Sequence, residues 1–362
     1  MRRQRDTAWL VNGTLLTPRG ARRGALGMQE GRIAAIRAAA PRGAERINVD
    51  GRYVAPGFID LHVWGAPELL AREMVKSGTT GFLASLGPQA PEQLVNRLTQ
   101  LRAATPTHGA RFLGVHLEGP FLNPFRAGAL ASRWLRPPTM PELRQLVRHA
   151  GGRLKLVTLA PELPKSIEAI RWLRRHGVAV SLGHTDASPE AMRWAAKAGA
   201  TLVTHVFNGM RPFHHRDPGA LGEALLNDQL AAMVILDRVH IDPAAFGILW
   251  RCKGAERLIL VTDSIEWQPA KGVATTGGAY YTGQGVLAGS RLTMIEAVRH
   301  AVEFGKISVA EAVRMTSLNP ARAIGMDRQL GSIDPGKRAD LVIFDQRFRI
   351  HMTFVNGRVV HQ

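Results

Sequence analysis

The chain has 362 residues, 45% of them hydrophobic and 21% charged, which indicates a globular protein with a large buried core. Its net charge of +18 comes from scattered basic residues that form no block, zinc finger or RNA-binding motif, so we expect no nucleic-acid partner, although this charge would attract a small anionic substrate. We find neither an apolar run of roughly 18 residues nor a secretory signal, and the single cysteine, Cys252, excludes an internal disulfide, so we expect a cytoplasmic protein that binds no membrane.

The two ends of the chain have no helical period. Residues 9–36 and 331–360 are typical of hairpins, and both contain a Val-Asn-Gly pattern, at Val11 and at Val355. We therefore infer a small β-domain built from both termini, residues 1–54 together with 325–362.

From residue 53 onward a unit recurs, in which a short apolar run is followed by a turn and an amphipathic helical stretch. The strand-like runs are YVAPGFIDLHV, TTGFLAS, RFLGVHLEG, LKLVTLAPE, VAVSLGHTD, LVTHVFNG, AAMVILDRVHI and RLILVTDSI. Helical stretches between them, such as SIEAIRWLRRHG and PEAMRWAAKAG, begin with Pro or Ser and end in Gly. Eight nearly continuous apolar strands with helical crossovers predict a (β/α)₈ barrel over residues 55–324. A doubly wound sheet is the alternative, but the chain has no Gly-x-Gly-x-x-Gly turn.

Ionisable and amide side chains recur where these predicted strands end, which is the end that carries the chemistry in such barrels. They are His62, His116, Glu118, His184, His205, Asn208, His240 and Asp263. A single histidine at a strand end is more often a packing residue. The whole set at one end is harder to explain that way, because burying an unpaired charge is expensive.

The stretch FIDLHVWG raises the question of a metal. In Asp60-x-His62-x-Trp64 the third side chain is an indole, which cannot act as a ligand, so the metal would be held mainly by other residues. One carboxylate with two imidazoles suits a catalytic zinc site and also the facial triad of iron oxygenases. Asp263 favours a hydrolase, which needs a general base for water.

With these residues in place, the sequence resembles the amidohydrolase superfamily and, within it, the N-acetylglucosamine-6-phosphate deacetylases. The similar stretches include APGFIDLHVWG, GVHLEGPFLNP, SLGHTDAS, VTHVFNGMRPF, VTDS and GSIDPGKRADLVIFD, in family order over nearly the whole chain. The resemblance implies a barrel with a small β-sandwich domain formed by the two termini. It also implies metal-dependent removal of the acetyl group from N-acetylglucosamine 6-phosphate, giving glucosamine 6-phosphate and acetate.

The resemblance also implies roles for single residues. It makes Glu118, His184 and His205 the ligands of one divalent metal, zinc or else iron(II), and Asp263 the catalytic acid and base. His62 would bind a second metal weakly or serve as a hydrogen-bonding group. The residues expected to bind the phosphorylated amino sugar are Asn208, Gly209, Arg216 and His240, the last supplied by the other subunit of a homodimer.

Two departures from the family pattern keep the substrate open. Leu130 stands where the family has a histidine that polarises the acyl carbonyl, and residues 264–286 are short and unlike the family. A related amidohydrolase acting on another N-acyl amino sugar or a cyclic amide is therefore one alternative. A basic nucleic-acid-binding protein on an inactive barrel is the alternative of a different class.

Overall fold

A computed structural model of the chain describes residues 8–266 and 273–362. The strands are β1 (Ala8–Thr17), β2 (Gly20–Gln29), β3 (Arg32–Arg37), β4 (Arg46–Asn48), β5 (Tyr53–Pro56), β6 (Phe58–Val63), β7 (Thr79–Leu86), β8 (Arg111–Glu118), β9 (Leu154–Leu159), β10 (Ala179–Leu182), β11 (Leu202–Val203), β12 (Ala231–Ile235), β13 (Leu258–Val261), β14 (Val273–Thr276), β15 (Ala279–Thr282), β16 (Leu287–Ser290), β17 (Leu341–Phe344), β18 (Ile350–Val355) and β19 (Arg358–His361). The helices are α1 (Pro67–Met74), α2 (Pro91–Ala103), α3 (Met140–Ala150), α4 (Ser166–Arg175), α5 (Pro189–Ala198), α6 (Gly219–Leu226), α7 (Pro243–Lys253), α8 (Met294–Gly305), α9 (Val309–Thr316) and α10 (Leu318–Ala323).

Strands β6 to β13 form a parallel sheet of eight strands that pair in chain order. The sheet closes on itself, because the Asp263 amide donates to the His62 carbonyl at 2.8 Å and the Trp64 amide donates to the Ser264 carbonyl at 2.9 Å. Most residues of these strands are buried, as expected for a barrel covered by helices. The predicted (β/α)₈ barrel is thus confirmed.

The barrel helices begin and end at the residues that the sequence indicated. In α5, the Ser188 hydroxyl accepts a hydrogen bond from the Ala191 amide, Pro189 occupies the first turn, and Gly199 ends the helix with a left-handed backbone. Its buried residues, Met192, Ala195 and Ala196, lie on one face. The amphipathic period of this stretch therefore directs one face of the helix onto the barrel.

The two termini together form a second sheet, in the order β19-β18-β17-β5-β1-β2-β3, with β4 paired to β1. Its buried core consists of Leu10, Leu15, Leu26, Met28, Ile33, Val49, Val54, Ile333, Ala339, Leu341, Ile343 and Phe354. The small β-domain from both ends of the chain is confirmed as part of the fold.

The stretch YVAPGFIDLHV is not one strand, as its apolar run predicted, but two. Residues 53–56 form β5, which pairs with β17 in the terminal sheet, and residues 58–63 form β6 in the barrel. Between them the Gly57 amide donates to the Asp340 carbonyl at 2.9 Å. The chain therefore leaves one sheet and enters the other at Gly57, where the residues on both sides are apolar.

A third, three-stranded sheet, β14-β15-β16, follows the last barrel strand. It occupies much of the 264–286 stretch, of which residues 267–272 lie outside the described residues. Within the described ranges, no helix has the length and apolar character needed to cross a bilayer.

Candidate active site

The carboxyl ends of the barrel strands surround one cleft of about 240 Å³. It is lined by Trp64, Glu118, Gly128, Ala129, Leu130, His184, His205, Asn208, Gly209, His240, Asp263, Val286, Leu287, Ala288 and Gly289. Seven of the residues to which the sequence assigned a catalytic, metal-binding or substrate-binding role are therefore brought together, although they come from distant parts of the chain. The third sheet supplies one wall of the cleft, through residues 286–289.

Glu118 lies at the centre of the buried group. Its Oε1 is 3.2 Å from Nε2 of His184 and 2.9 Å from Nε2 of His205, and its Oε2 is 3.4 Å from Nε2 of His62. His116, which the sequence places two residues earlier, lies outside this cleft. It is buried against the His62 ring and contacts the Thr158 hydroxyl at 2.8 Å, so it packs against a residue of the site without lining the cleft.

Three residues of the site have a left-handed backbone, which residues other than glycine rarely adopt. The φ angles are 47° at His184, 26° at His205 and 47° at Asp263. Such conformations cost of order 1–3 kcal/mol each and persist where the surrounding structure fixes them. Their coincidence at three strand ends around one carboxylate is typical of a functional site.

Burial and mutual charge shift the pKa values of this group strongly. Burial raises the pKa of Glu118, but the imidazoles of His62, His184 and His205 lower it by a larger amount. The pKa of Glu118 therefore lies well below its usual range. Burial lowers the pKa of His62, but the carboxylates of Asp263 and Glu118 raise it more, to about 9. For His205, burial dominates and the pKa is lowered. The carboxylates of Glu118 and Asp263 thus favour positive charge at the centre of this buried group.

These side chains fit a divalent metal ion. The ligand atoms of His62, Glu118 and His205 all lie within 4.8 Å of one another. Neither ring nitrogen of His62 has a hydrogen-bond partner among the described residues. The Nδ1 of His184 donates to the Arg126 carbonyl at 2.7 Å, which leaves Nε2 as the nitrogen that faces Glu118 and can act as a ligand. His62 thus joins the three residues that the resemblance proposed.

Asp263 lies at the edge of this group, with its carboxylate partly exposed to the cleft. Its Oδ1 accepts a hydrogen bond from the Trp64 indole nitrogen at 2.8 Å and lies 3.3 Å from Nε2 of His62. The sequence indicated only that the Trp64 indole cannot act as a metal ligand. Its contact with Asp263 joins positions 199 residues apart and could not be read from local sequence.

Asn208, Gly209 and His240 also line the cleft. Gly209 has a φ of 64°, and a Cβ atom there would lie 2.9 Å from Nδ1 of His184, so glycine is required for this loop to pass the imidazole. The loop therefore presents backbone and a side-chain amide directly beside the buried ligands.

His240 lies in the cleft of its own chain, although the resemblance led us to expect it from a partner subunit. A tight turn after β12 positions it, because Asp237 Oδ1 accepts from the amides of Val239 and His240 and Asp237 Oδ2 accepts from the imidazole Nδ1 at 2.7 Å. Burial raises the pKa of Asp237, but these bonds from His240 lower it overall. The Asp237 carboxylate thus orients an imidazole that keeps Nε2 available.

Arg216 does not line this cleft and is exposed in the loop after His205. Its side chain contacts His215 at 3.0 Å, while the neighbouring Asp217 pairs with Arg211 at 2.8 Å. Arg216 is thus not engaged by Asp217, the simplest structural role for it. Within one chain, it remains apart from the other candidate substrate residues.

Comparison with known proteins identifies close relatives over the whole length. Residues 53–360 match the family model described as "Amidohydrolase family". The chain is 35% identical to the N-acetylglucosamine-6-phosphate deacetylase of Bacillus subtilis, over 93% of this chain and 92% of that protein. It is 34% identical to the N-acetylgalactosamine-6-phosphate deacetylase of Escherichia coli O157:H7, over 92% and 94%. Among solved structures, it is similar to a variant of the Mycobacterium smegmatis N-acetyl-D-glucosamine-6-phosphate deacetylase in complex with N-acetyl-D-glucosamine-6-phosphate, with a TM-score of 0.88, 31% identity and coverage of 99% and 100%.

Proposed function

The chain belongs to the amidohydrolase family, among the N-acetylglucosamine-6-phosphate deacetylases, and on this premise we propose that it hydrolyses the acetamide of N-acetylglucosamine 6-phosphate to glucosamine 6-phosphate and acetate. The observation that carries the proposal is the cleft itself. A partly exposed carboxylate, Asp263, adjoins a buried carboxylate–imidazole group, and both face a cavity large enough for a small molecule.

The buried group supports a metal-dependent reaction. We propose that Glu118, His184, His205 and His62 hold one divalent ion. Carboxylate and imidazole ligands suit both zinc and iron(II), and we propose zinc because hydrolysis needs a Lewis acid and no change of oxidation state. When bound, such an ion acts as a Lewis acid toward a carbonyl and toward water. The chain's own part is to hold that ion with fixed imidazoles, as His184 does through its bond to the Arg126 carbonyl.

Asp263 is proposed as the proton carrier. Its carboxylate takes a proton from the attacking water as the water oxygen bonds to the acyl carbon. It then donates that proton to the sugar nitrogen as the carbon–nitrogen bond breaks, which releases acetate and the free amine. One carboxylate thus serves as base and then as acid.

The sugar and its phosphate would lie on the side of Asn208, Gly209 and His240. The Asn208 amide can bond hydroxyl groups, and His240, whose Nδ1 donates to Asp237, donates from Nε2 to an anion in its protonated form. The overall charge of +18 favours approach of a phosphorylated substrate. These groups distinguish a sugar phosphate from a neutral sugar.

Elemental analysis should find close to one metal equivalent per chain. Trp64 carries no ligand atom where a second histidine would be needed, so a second ion lacks a ligand. The protein would be purified without added metal, and its metal content would be measured by inductively coupled plasma mass spectrometry. Glu118→Gln should lose the ion, because the side chain central to all three imidazoles is neutralised. Two reproducible equivalents, or none, would contradict the proposed site.

Leu130→His should raise kcat on the amino-sugar phosphate. Leu130 lines the cleft but cannot donate a hydrogen bond to the developing oxyanion. A well-placed donor is worth about 10²-fold, and a grafted one should give roughly tenfold. Leu130→Met, which keeps the wall apolar, is the matched control and should stay near wild type. If Leu130→His loses activity while it remains folded, the substrate requires an apolar wall there.

A galacto-configured substrate is the second candidate. The relatives at 35% and 34% identity act, by their names, on sugar phosphates that differ at one carbon. Steady-state assays with both N-acetylated hexosamine 6-phosphates, each measured beside its unphosphorylated form, would test the proposal. The gluco-configured phosphate should have the highest kcat/KM, and a larger value for the galacto epimer would replace it.

We also propose a cytoplasmic homodimer. Trp194, Phe213 and Leu226 are 58%, 54% and 78% exposed, and they lie on or beside the adjacent helices α5 and α6. An apolar face of this kind suits a second copy of the chain. Arg216 lies in the same loop as Phe213, so a dimer through this face would bring that guanidinium toward a neighbouring subunit.

A further inference from the structure

Trp64 lines the cleft with an indole, which cannot bind a metal. It follows the end of strand β6, is half-buried, and its amide is fixed by the Ser264 carbonyl. Its indole nitrogen carries the only polar hydrogen of the side chain, and it donates to Oδ1 of Asp263 at 2.8 Å. The side chain therefore touches the residue that the proposed reaction depends on most.

The backbone of Asp263 is already fixed on both sides. Its amide donates to the His62 carbonyl at 2.8 Å, and its carbonyl accepts from the Ser290 amide at 3.0 Å. Only rotation of its side chain remains to be controlled. The indole donates to Oδ1 at 2.8 Å, the shorter of the two contacts of this oxygen, since Nε2 of His62 lies 3.3 Å away, and no described residue donates a hydrogen bond to Oδ2. One carboxylate oxygen is thus held and the other is left for proton transfer.

The fold provides a space for the indole. A Cβ atom at residue 87 would lie 3.1 Å from Cη2 of Trp64 and 3.6 Å from Cδ2 of Leu130, so the lack of a side chain at Gly87 lets the indole approach this backbone closely. The edge of the ring farthest from its N–H is therefore packed against the Gly87 backbone. A confined ring gives its N–H a fixed direction, which a flexible surface donor would lack.

We propose that Trp64 is a positioning residue for the deacetylation, which holds Asp263 in the orientation for proton transfer through its indole N–H. The inference rests on the proposed function, because it assigns Asp263 the proton transfer. The donor is neutral and never releases its proton, so it orients the carboxylate through both halves of the reaction. The indole, which cannot bind a metal, thus supplies a hydrogen-bond donor at this position.

Trp64→Phe keeps an aromatic ring and removes the donor. We expect kcat on N-acetylglucosamine 6-phosphate to fall about 10- to 10²-fold, as for loss of a hydrogen bond to a charged group. The KM should change less than about twofold, since the indole positions the carboxylate and not the sugar. Bound metal should remain as in the wild type. The matched control is Trp172→Phe on helix α4, where the indole stacks on the His176 ring outside the cleft, and it should leave kcat unchanged.

Trp64→Gln separates the donor from the ring, because glutamine supplies a neutral N–H at a similar reach without aromatic packing. Recovery of much of the lost kcat would support the positioning role. A Trp64→Phe enzyme as fast as wild type, a loss confined to KM, or a folded, metal-bound Trp64→Gln enzyme as slow as Trp64→Phe would each overturn it.

If Trp64→Gln does not fold, a double variant tests the positioning role instead. Adding Trp64→Phe to Asp263→Asn should cost nothing further, and an undiminished additional loss would overturn the proposal. A wild-type enzyme inactive on this substrate would instead refute the proposed function.

Discussion

Replacing Asp263 with asparagine should lower kcat by about 10²- to 10⁴-fold, the range that general acid–base catalysis contributes. Asparagine has nearly the same shape and can still accept the Trp64 hydrogen bond, but its amide cannot take a proton from water. The loss should lie at the upper end, since one carboxylate is needed both as base and as acid. The measurement is steady-state turnover of N-acetylglucosamine 6-phosphate.

The metal content of Asp263→Asn must be measured alongside, because an enzyme without its ion would be inactive for another reason. We expect the same content as in the wild type, since the other buried ligands remain. Asp242→Asn is the matched control: Asp242 caps helix α7 by accepting from the Ala244 amide at 2.7 Å, and asparagine caps as well. It should keep wild-type activity. An Asp263→Asn enzyme with more than about a tenth of wild-type kcat would show that another group is the base.

The phosphate should be worth about 10² to 10⁴ in kcat/KM. A charged hydrogen bond contributes about 1.5–3 kcal/mol, so two of them contribute about 3–6 kcal/mol. His240 lies in the cleft with Nε2 available, and Arg216 offers a guanidinium that could bind two phosphate oxygens. The phosphorylated amino sugar should therefore exceed the unphosphorylated one by that factor in the wild type.

Arg216→Ala should remove most of this preference and leave the slow reaction of the unphosphorylated sugar nearly unchanged. Because Arg216 lies outside the cleft of its own chain, this result would also imply that it acts on a neighbouring subunit's substrate. Arg251→Ala, an exposed arginine on helix α7, is the control for loss of charge and should keep the preference. Equal kcat/KM for the two wild-type substrates would rule out a sugar-phosphate deacetylase.

The barrel could be predicted because its signals are local and repeated. Apolar strands, helical periods and residues such as Ser188 and Gly199 each act within a few positions of themselves. The division at Gly57 could not be predicted, since β5 and β6 are both apolar and the difference lies in their distant partners. Likewise, the two Val-Asn-Gly stretches have different structures. At Val11 the stretch forms an irregularity within β1, and at Val355 it forms the turn before β19.

The candidate site shows the same limit. The strand-end position identified Glu118, His184, His205 and Asp263, because barrels bring those ends together. It could not reveal that Trp64 bonds Asp263, which depends on closure of the barrel between its first and last strands. Nor could it place His240 in the cleft of its own chain, which depends on the turn that Asp237 stabilises.

Our central proposal is that the protein hydrolyses the acetamide of an amino-sugar phosphate, and analysis of the products tests this most directly. Metal-loaded wild-type protein would be incubated with N-acetylglucosamine 6-phosphate, and acetate and glucosamine 6-phosphate would be measured over time. The two products should appear in equal amounts, with turnover that disappears in Asp263→Asn. No acetate from this substrate, at a metal content of one equivalent and with the protein folded, would contradict the proposed function.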